Sequence, residues 1–351
     1  MESSYLKEDV ILLLKDISGL VTPLPTKERE RLIQSGVHYC EMLPLEYKPT
    51  EQYMKAYSAA LESYAQITAQ AVCQVAEKLY DAISGDEIVL VSLARAGIPI
   101  GILIKRYLEH KYKKKVFHYS ISIIRGRGID QNAIDYILRQ HQPDSIRFVD
   151  GWIGKGAIQR ELSAALAPYP ELNPTLAVLS DPANITDMCG THEDILIPSS
   201  CLNSTVSGLI SRTFLRRDII GDEDFHGAAY YRELAQEDLS YEFIHAIEKY
   251  FDFDTQIINT TPSGITGLKE VEEIGMHFQI SDINFIKPGI GEATRVLIRR
   301  VPWKLLIRTG ERENPKLAHL LQLAKEKEVS VEEYPLHNYI ACGIIRELAD
   351  A

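Results

Sequence analysis

Apolar and polar positions along this chain follow two different periods. From Glu51 to Ile83 apolar residues return every three or four positions (Tyr57, Leu61, Tyr64, Ile67, Ala71, Val75, Leu79). That spacing predicts one long helix, stopped by Ser84-Gly85-Asp86. Residues 5–17 carry the same spacing and predict an earlier helix, ended by Gly19, Pro23 and Pro25. The mixed stretch 27–50 holds no recognisable chemistry and reads as a cap or hood within residues 1–50. After residue 86 the period changes. Nearly continuous apolar runs at 87–93, 116–124, 145–149, 175–179 and 194–197 predict buried strands. Helical patterns at 98–109 and 132–139, and one running to about 167, lie between them. Such alternation predicts an α/β fold with a parallel sheet covered on both faces.

In sheets of that kind ligands bind outside the carboxyl ends of the strands, so the residues that follow each strand carry the functional expectation. The first strand leads into Arg95, Ala96 and Gly97 at a helix start. The second leads into Arg125-Gly-Arg-Gly-Ile-Asp130, whose two glycines and two arginines, Arg125 and Arg127, suit a cationic lid. The third leads into Asp150, Gly151, Gly154, Lys155 and Gly156. There, glycines let backbone N–H groups point into one concavity, the next helix adds the positive end of its dipole, and Lys155 adds a full charge. Asp150 can accept hydrogen bonds from sugar hydroxyls. The run at 194–197 leads into Ser199, Ser200, Cys201, Asn203, Ser204 and Thr205, expected to open a helix with Arg212 inside it. Four strand ends so equipped predict one polyanion-binding mouth.

The segment 218–254 is charged and aromatic, with a helix expected at about 240–250. The polar turn Thr260-Thr-Pro-Ser-Gly264 reads as a domain boundary, separating residues 1–255 from 265–351. Beyond it a small α/β pattern predicts helices at 267–273, 291–300, 315–327 and 341–348, and strands at 303–308 and 329–333.

Composition narrows the class. At 351 residues, 45% hydrophobic and 25% charged, the chain is an ordinary globular one. A net charge of -11 excludes a generally basic nucleic-acid coat protein but leaves room for a local basic face. Five cysteines without a CxxC pair suggest neither a disulfide framework nor a zinc knuckle. No apolar run approaches membrane-spanning length and the N-terminus lacks a signal peptide's basic start, so a cytoplasmic location away from membranes is expected.

The order of strand-end features resembles the type I phosphoribosyltransferases over roughly residues 50–215, with 95–97, 125–130 and 150–158 in the pyrophosphate, flexible-loop and ribose-phosphate positions. It departs from that pattern at Gly151, where a second acid is usual, and at Lys155-Gly156, where a Thr-Gly pair is usual. A closer resemblance is to divergent bacterial phosphoribosyltransferases of tellurite-resistance and stress-response gene clusters, carried by 150–156 and 190–208. Some relatives there are labelled cysteine proteases. Residues 287–300 resemble the RNA-contacting loop and helix of Pelota-type domains.

These resemblances imply a Rossmann-like phosphoribosyltransferase domain followed by a small Pelota-like domain. They imply phosphoribosyl pyrophosphate (or a nucleotide) as ligand with Mg²⁺, and transfer to an unidentified acceptor. Asp150, Arg125 and Arg127 would act on the donor; Arg95 to Gly97, Gly151 to Gly156 and Ser199 to Arg212 would bind substrate. RNA would meet Lys287, Gly289, Gly291, Glu292, Thr294 and Arg295. A homodimer is admitted. Two other readings stand beside this one: a non-catalytic nucleotide sensor with RNA output, and a cysteine hydrolase using Cys189 or Cys201 with His192.

Overall fold

The computed structural model describes residues 1–259 and 265–346. Its larger sheet is parallel, in the order Ile11–Leu12, Lys115–Ile121, Glu87–Leu93, Ile146–Val149, Leu176–Ser180, Cys189–Thr191. The central pair runs in register from Glu87 beside Lys115 to Leu93 beside Ile121. Both faces are covered, which is why these strands read as unbroken apolar runs. Helices Glu51–Asp81 and Gly97–Tyr112 cover one face, and Gln131–Leu138 and Ala157–Ala165 cover the other. The long helix starts where Thr50 accepts a hydrogen bond from the Tyr53 N–H, and buries Ala69, Val72, Val75, Ala76 and Leu79 completely. Gly190 lies so close to it that a Cβ there would sit 2.4 Å from the Ala71 carbonyl oxygen.

Residues 5–17 do not form the expected helix. They run extended, with Ile11–Leu12 beside Lys115–Ile121 and Lys15–Asp16 beside Gly227–Ala228. Their apolar side chains serve different cores: Leu13 packs on one face of the sheet, Val10 and Leu14 on the other, and Ile17 in a third cluster. Only an extended chain can point neighbours such as Leu13 and Leu14 to opposite faces.

Residues 194–197 are not a strand either; the sixth strand is Cys189–Thr191. Ile195, Leu196 and Ile197 are buried against the long helix and the C-terminal domain. The expected helix after them is replaced by two 3₁₀ turns, Pro198–Cys201 and Ser204–Val206. A run of Ser, Asn and Thr offers the backbone competing partners, as the Ser207 hydroxyl does by donating to the Asn203 carbonyl at 2.7 Å.

The C-terminal domain is a four-stranded sheet in the order Ile286–Pro288, Ala341–Ile345, Pro302–Arg308, Ser330–Tyr334, with helices Gly267–Phe278, Ile290–Arg299 and Ala318–Glu326. The expected final helix is therefore an inner strand, Ala341–Ile345. Buried on both sides, it presents the short apolar run that periodicity cannot tell from a buried helix. The expected boundary at 260–264 and residues 347–351 lie outside the described residues. The two domains share one hydrophobic cluster, joining Tyr64 and Leu196 to Ile290, Leu297, Ile307 and Leu320. The Tyr53 and Tyr64 hydroxyls donate across it to the carbonyls of Ile298 (3.1 Å) and Lys316 (2.9 Å).

Candidate active site

The strand ends do meet at one rim, but most of their polar groups are already engaged. Gly97 begins the first helix so close to the neighbouring strand that a Cβ would lie 2.5 Å from the Val149 carbonyl oxygen. Ala96 caps that helix, and the Arg95 guanidinium donates to the Ile210 carbonyl at 2.8 Å and pairs with Glu46 at 3.4 Å. The Arg125–Asp130 stretch is a tight hairpin turn rather than a loose lid. The Glu161 carboxylate accepts from the N–H groups of Gly126 (2.8 Å) and Gly128 (3.0 Å) and clamps it. Arg127 pairs with Glu41 at 2.9 Å, and Arg125 donates to the Asn284 side-chain oxygen at 2.9 Å.

The Asp150 turn departs furthest from expectation. Its would-be phosphate cradle is filled by the C-terminal domain. Lys155 Nζ donates to the carbonyls of Ile283 (2.6 Å) and Ile286 (3.3 Å), and the Gly154 carbonyl accepts from the Tyr339 hydroxyl at 2.6 Å. Burial, with Lys287 and Arg125 nearby, lowers the Lys155 pKa to about 8. Asp150 accepts from the Gly151 N–H at 2.8 Å, and burial raises its carboxyl to about 7. Gly156, at φ +79°, starts the next helix.

The hydroxyl-rich run faces inward. Ser200, Cys201, Ser204 and Thr205 are buried, and the Ser200 and Ser204 hydroxyls have no hydrogen-bond partner among the described residues. Ser199 and Asn203 are half-buried beside them, so the run lines no open acceptor subsite. The loop expected to meet RNA is turned onto the first domain. A Cβ on Gly289 (φ +93°) would lie 3.2 Å from Asp194 Oδ1, and one on Gly291 3.3 Å from Ser200 Oγ. Thr294 is buried and donates back to the Ile290 carbonyl. Burial lowers the Lys287 pKa, against the pull of Glu292. Glu292 pairs with Arg295 at 3.0 Å, and the Arg295 side chain keeps a third of its surface exposed.

The thiols tell a different story. Cys189 Sγ lies 3.6 Å from His192 Nε2 and 3.8 Å from Nδ1. His192 Nδ1–H donates to the Asp181 carbonyl at 2.9 Å, so Nε2 is the basic nitrogen of the neutral ring, and the sulfur, nearly equidistant from both nitrogens, lies against the ring rather than along the Nε2 lone pair. The Asp181 carboxylate, 3.8 Å from Nδ1, accepts from the N–H groups of Ile185 and Thr186. Thiol, imidazole and acid are thus neighbours, and a turn of the ring would be needed to aim Nε2 at the sulfur. Cys189 is fully buried, and burial pushes its thiol up to about 12.

A second thiol–imidazole contact escaped sequence reasoning: His38 Nδ1 is 3.0 Å from Cys40 Sγ in the N-terminal segment. Its signal is a His-x-Cys spacing at a turn, in a stretch without periodicity. The same nitrogen accepts the Cys40 backbone N–H and so caps the 3₁₀ turn Tyr39–Glu41. That shared lone pair makes it a poorer base. Asp181 was missed as well, although it stands directly after a strand, as Asp150 does. Cys201 packs near Tyr57 and Tyr64 in the core.

Residues 3–248 match the family model described as tellurite-like stress resistance cysteine protease StiP. The chain belongs to the StiP family. Residues 265–347 match the PELOTA RNA binding domain. A relative from Acinetobacter baylyi (strain ATCC 33305 / BD413 / ADP1), named cysteine protease StiP, is 36% identical over 374 residues, covering 98% of this chain and 94% of its own. Two solved hypoxanthine-guanine phosphoribosyltransferase structures from Bacillus anthracis str. 'Ames Ancestor' show a distant likeness. They are 17% and 15% identical, cover 33% and 40% of this chain and 66% and 72% of their own, and give TM-scores of 0.24 and 0.23. Scores that low carry no argument.

For this StiP-family chain the expectation of phosphoribosyl transfer is therefore corrected. The family and the full-length relative are named cysteine proteases, and the cradle expected to hold phosphoribosyl pyrophosphate holds Tyr339 and the 283–286 carbonyls instead. The nucleotide-sensor reading, which needs the same cradle, falls with it. Among the described residues no group of three or more His, Cys, Asp or Glu could hold a metal ion, and no helix is long and apolar enough to cross a membrane.

Proposed function

We propose that this StiP-family chain is a cysteine protease whose nucleophile is Cys189, whose base is His192, and whose orienting acid is Asp181. The proximity of Cys189 Sγ to the His192 ring, 3.6 Å at Nε2, together with the family match carries the reading. In the reaction the thiol proton passes to Nε2 as sulfur attacks a peptide carbonyl carbon. The C–N bond then breaks and the imidazolium returns the proton to the leaving amine. Water, deprotonated by the same imidazole, hydrolyses the thioester and restores the thiol. Asp181 keeps Nδ1–H in place and faces the imidazolium's charge. Because the resting thiol is neutral and covered, the free enzyme is latent and base-assisted rather than a standing thiolate. Residues 265–346 are, in the same reading, an RNA-binding module attached to the protease.

The test is hydrolysis of a fluorescent casein by the full chain. Cys189→Ala and His192→Ala should each lower kcat/KM by roughly 10²- to 10⁴-fold, as loss of nucleophile or base does. Full activity in Cys189→Ala with loss in Cys40→Ala would move the site to the His38 pair. Full activity in both would end the thiol reading for these two positions.

A further inference from the structure

Cys189 opens the outermost strand of the parallel sheet, Cys189–Thr191. Main-chain groups alternate in direction along such a segment. The Met188 carbonyl points inward and accepts the Val178 N–H at 3.1 Å. The carbonyls on either side of it, at Asp187 and Cys189, point the other way, where a sheet edge offers no ladder partner. Both accept instead from one ammonium: Lys78 Nζ donates to them at 2.9 Å and 2.8 Å. Lys78 lies in the last turn of the long helix Glu51–Asp81. Seven residues earlier, the same helix makes the close approach of the Ala71 carbonyl to Gly190. One helix therefore seats the strand at Gly190 and ties the chain on both sides of Met188.

Holding two carbonyls needs only donors, yet the group placed here carries a full charge. Its hydrogen-bond partners are neutral oxygens, and no carboxylate pairs with it among the described residues. The charge is thus left uncancelled, and it is bonded to the residue that bears the thiol. Carbonyl oxygen and sulfur of one cysteine are at most about 5 Å apart by covalent geometry, so ammonium and sulfur stand within roughly 8 Å. Burial raises the thiol pKa, Lys78 works against that rise, and Asp181 and Asp187 add to it.

We infer that Lys78 is a positioning residue for the Cys189 nucleophile: it fixes the main chain around the thiol and holds a positive charge beside the sulfur as its proton leaves. The inference rests on the reading of Cys189 as nucleophile and adds a group that does not touch the substrate. When the thiol proton passes to the His192 ring, negative charge gathers on sulfur in a buried place, and a cation already fixed on the same residue stabilises it.

The experiment is iodoacetamide labelling of Cys189 in the full chain across pH 7–10, with casein hydrolysis read beside it. Lys78→Gln keeps a donor for the carbonyls and loses the charge; Lys78→Arg keeps both. Lys78→Gln should label Cys189 more slowly than wild type at each pH, by roughly three- to tenfold, and lower kcat/KM by a similar factor. Lys78→Arg should return both towards wild type. A lysine that only tied the strand would act in the opposite sense, because its loss would loosen the segment and uncover the thiol. Labelling of Cys189 in Lys78→Gln at the wild-type rate or faster therefore overturns the inference. If Lys78→Gln does not fold, Lys78→Met, which keeps the apolar stem on its helix, carries the same test. Hydrolysis that persists in Cys189→Ala ends the protease reading and this role with it. Wild-type labelling and hydrolysis in Lys78→Gln, beside an inactive Cys189→Ala, end the inference alone.

Discussion

Asp194 Oδ1 accepts the backbone N–H of Ile290 at 2.9 Å, and its other oxygen accepts that of Ile340 at 3.0 Å. One carboxylate of the first domain thus caps a helix of the second and ties down the entry to its inner strand. The bonds are charge-assisted and shielded from water, while burial raises the carboxyl to about 6. Asp194→Ala leaves two buried N–H groups without partners, at about 1–3 kcal/mol each. The expected outcome is a lower melting temperature and faster tryptic cleavage after Lys249 and Lys269, which flank the connection between the domains. Asp194→Asn, which can satisfy one N–H through its carbonyl oxygen, should fall between wild type and alanine.

The buried carboxyl of Asp150 gives a pH signature. Its folded pKa of about 7 lies above the usual value near 3.8, so the folded state binds the proton more tightly than the unfolded chain does. Stability contributed by this group is full below about pH 4, falls as pH rises towards 7, and stays low above that. Asp150→Asn keeps the acceptor for the Gly151 N–H and removes the ionisation. The variant should match wild type near pH 4 and exceed it above pH 7 by about 2–4 kcal/mol, on a scale of about 1.4 kcal/mol per pKa unit. Urea denaturation at pH 4, 6 and 8 reads this directly; a constant difference across the series would contradict it.

Gly101 sits where no side chain fits. A Cβ there would lie 2.2 Å from Ser92 Oγ and 2.3 Å from His118 Nε2. Those two atoms are 2.7 Å apart in a buried network in which His118 Nδ1–H donates to the Asp9 carbonyl at 2.8 Å. Burial lowers the His118 pKa to about 4, so the ring is neutral and structural. Gly101→Ala should therefore destabilise by about 1–3 kcal/mol or more, by overpacking and by parting this pair. Thermal melting measures the loss, and a variant within 0.5 kcal/mol of wild type would mean that the helix shifts freely.

How much of this was legible follows from where the physics is local. The strand at 87–93 and the helix at 51–81 announce themselves because their neighbours in sequence decide them. The rule about strand ends also located Arg95 and Lys155 at the rim. It did not say what fills the rim. Lys155 carries the same charge whether it meets a phosphate or the Ile283 carbonyl, and only the docking of a domain 128 residues away decides between them. The thiol site was half visible: Cys189 and His192 are three residues apart, but their contact depends on the Asp181 carbonyl orienting the ring. At 5–17 a helical spacing was real yet misleading, since its apolar residues belong to three cores.

The burial of Cys189 has a visible cause. The loop leading from Asp181 towards Cys189 is pinned by the C-terminal domain. The Gly267 N–H donates to the Ala183 carbonyl at 2.9 Å, and the Asn184 amide donates to the Asn338 side-chain oxygen at 3.1 Å. Gly267 approaches so closely that a Cβ would lie 2.8 Å from Ala183 Cα. Removing one tie should let the loop open more often and expose Cys189. Since the buried thiol has a pKa of about 12, its iodoacetamide labelling should be slow at pH 7 and rise about tenfold per pH unit towards pH 10. Asn338→Ala should speed labelling of Cys189 at pH 7, by roughly tenfold if the lost tie is worth about 1.4 kcal/mol. Labelling of Cys342, buried in the second domain's own core, should stay unchanged and serve as the internal reference. Mass spectrometry of tryptic peptides resolves the two sites. Equal acceleration at both would mean general loosening of the fold, and no change at Cys189 would mean that the second domain does not control access to it.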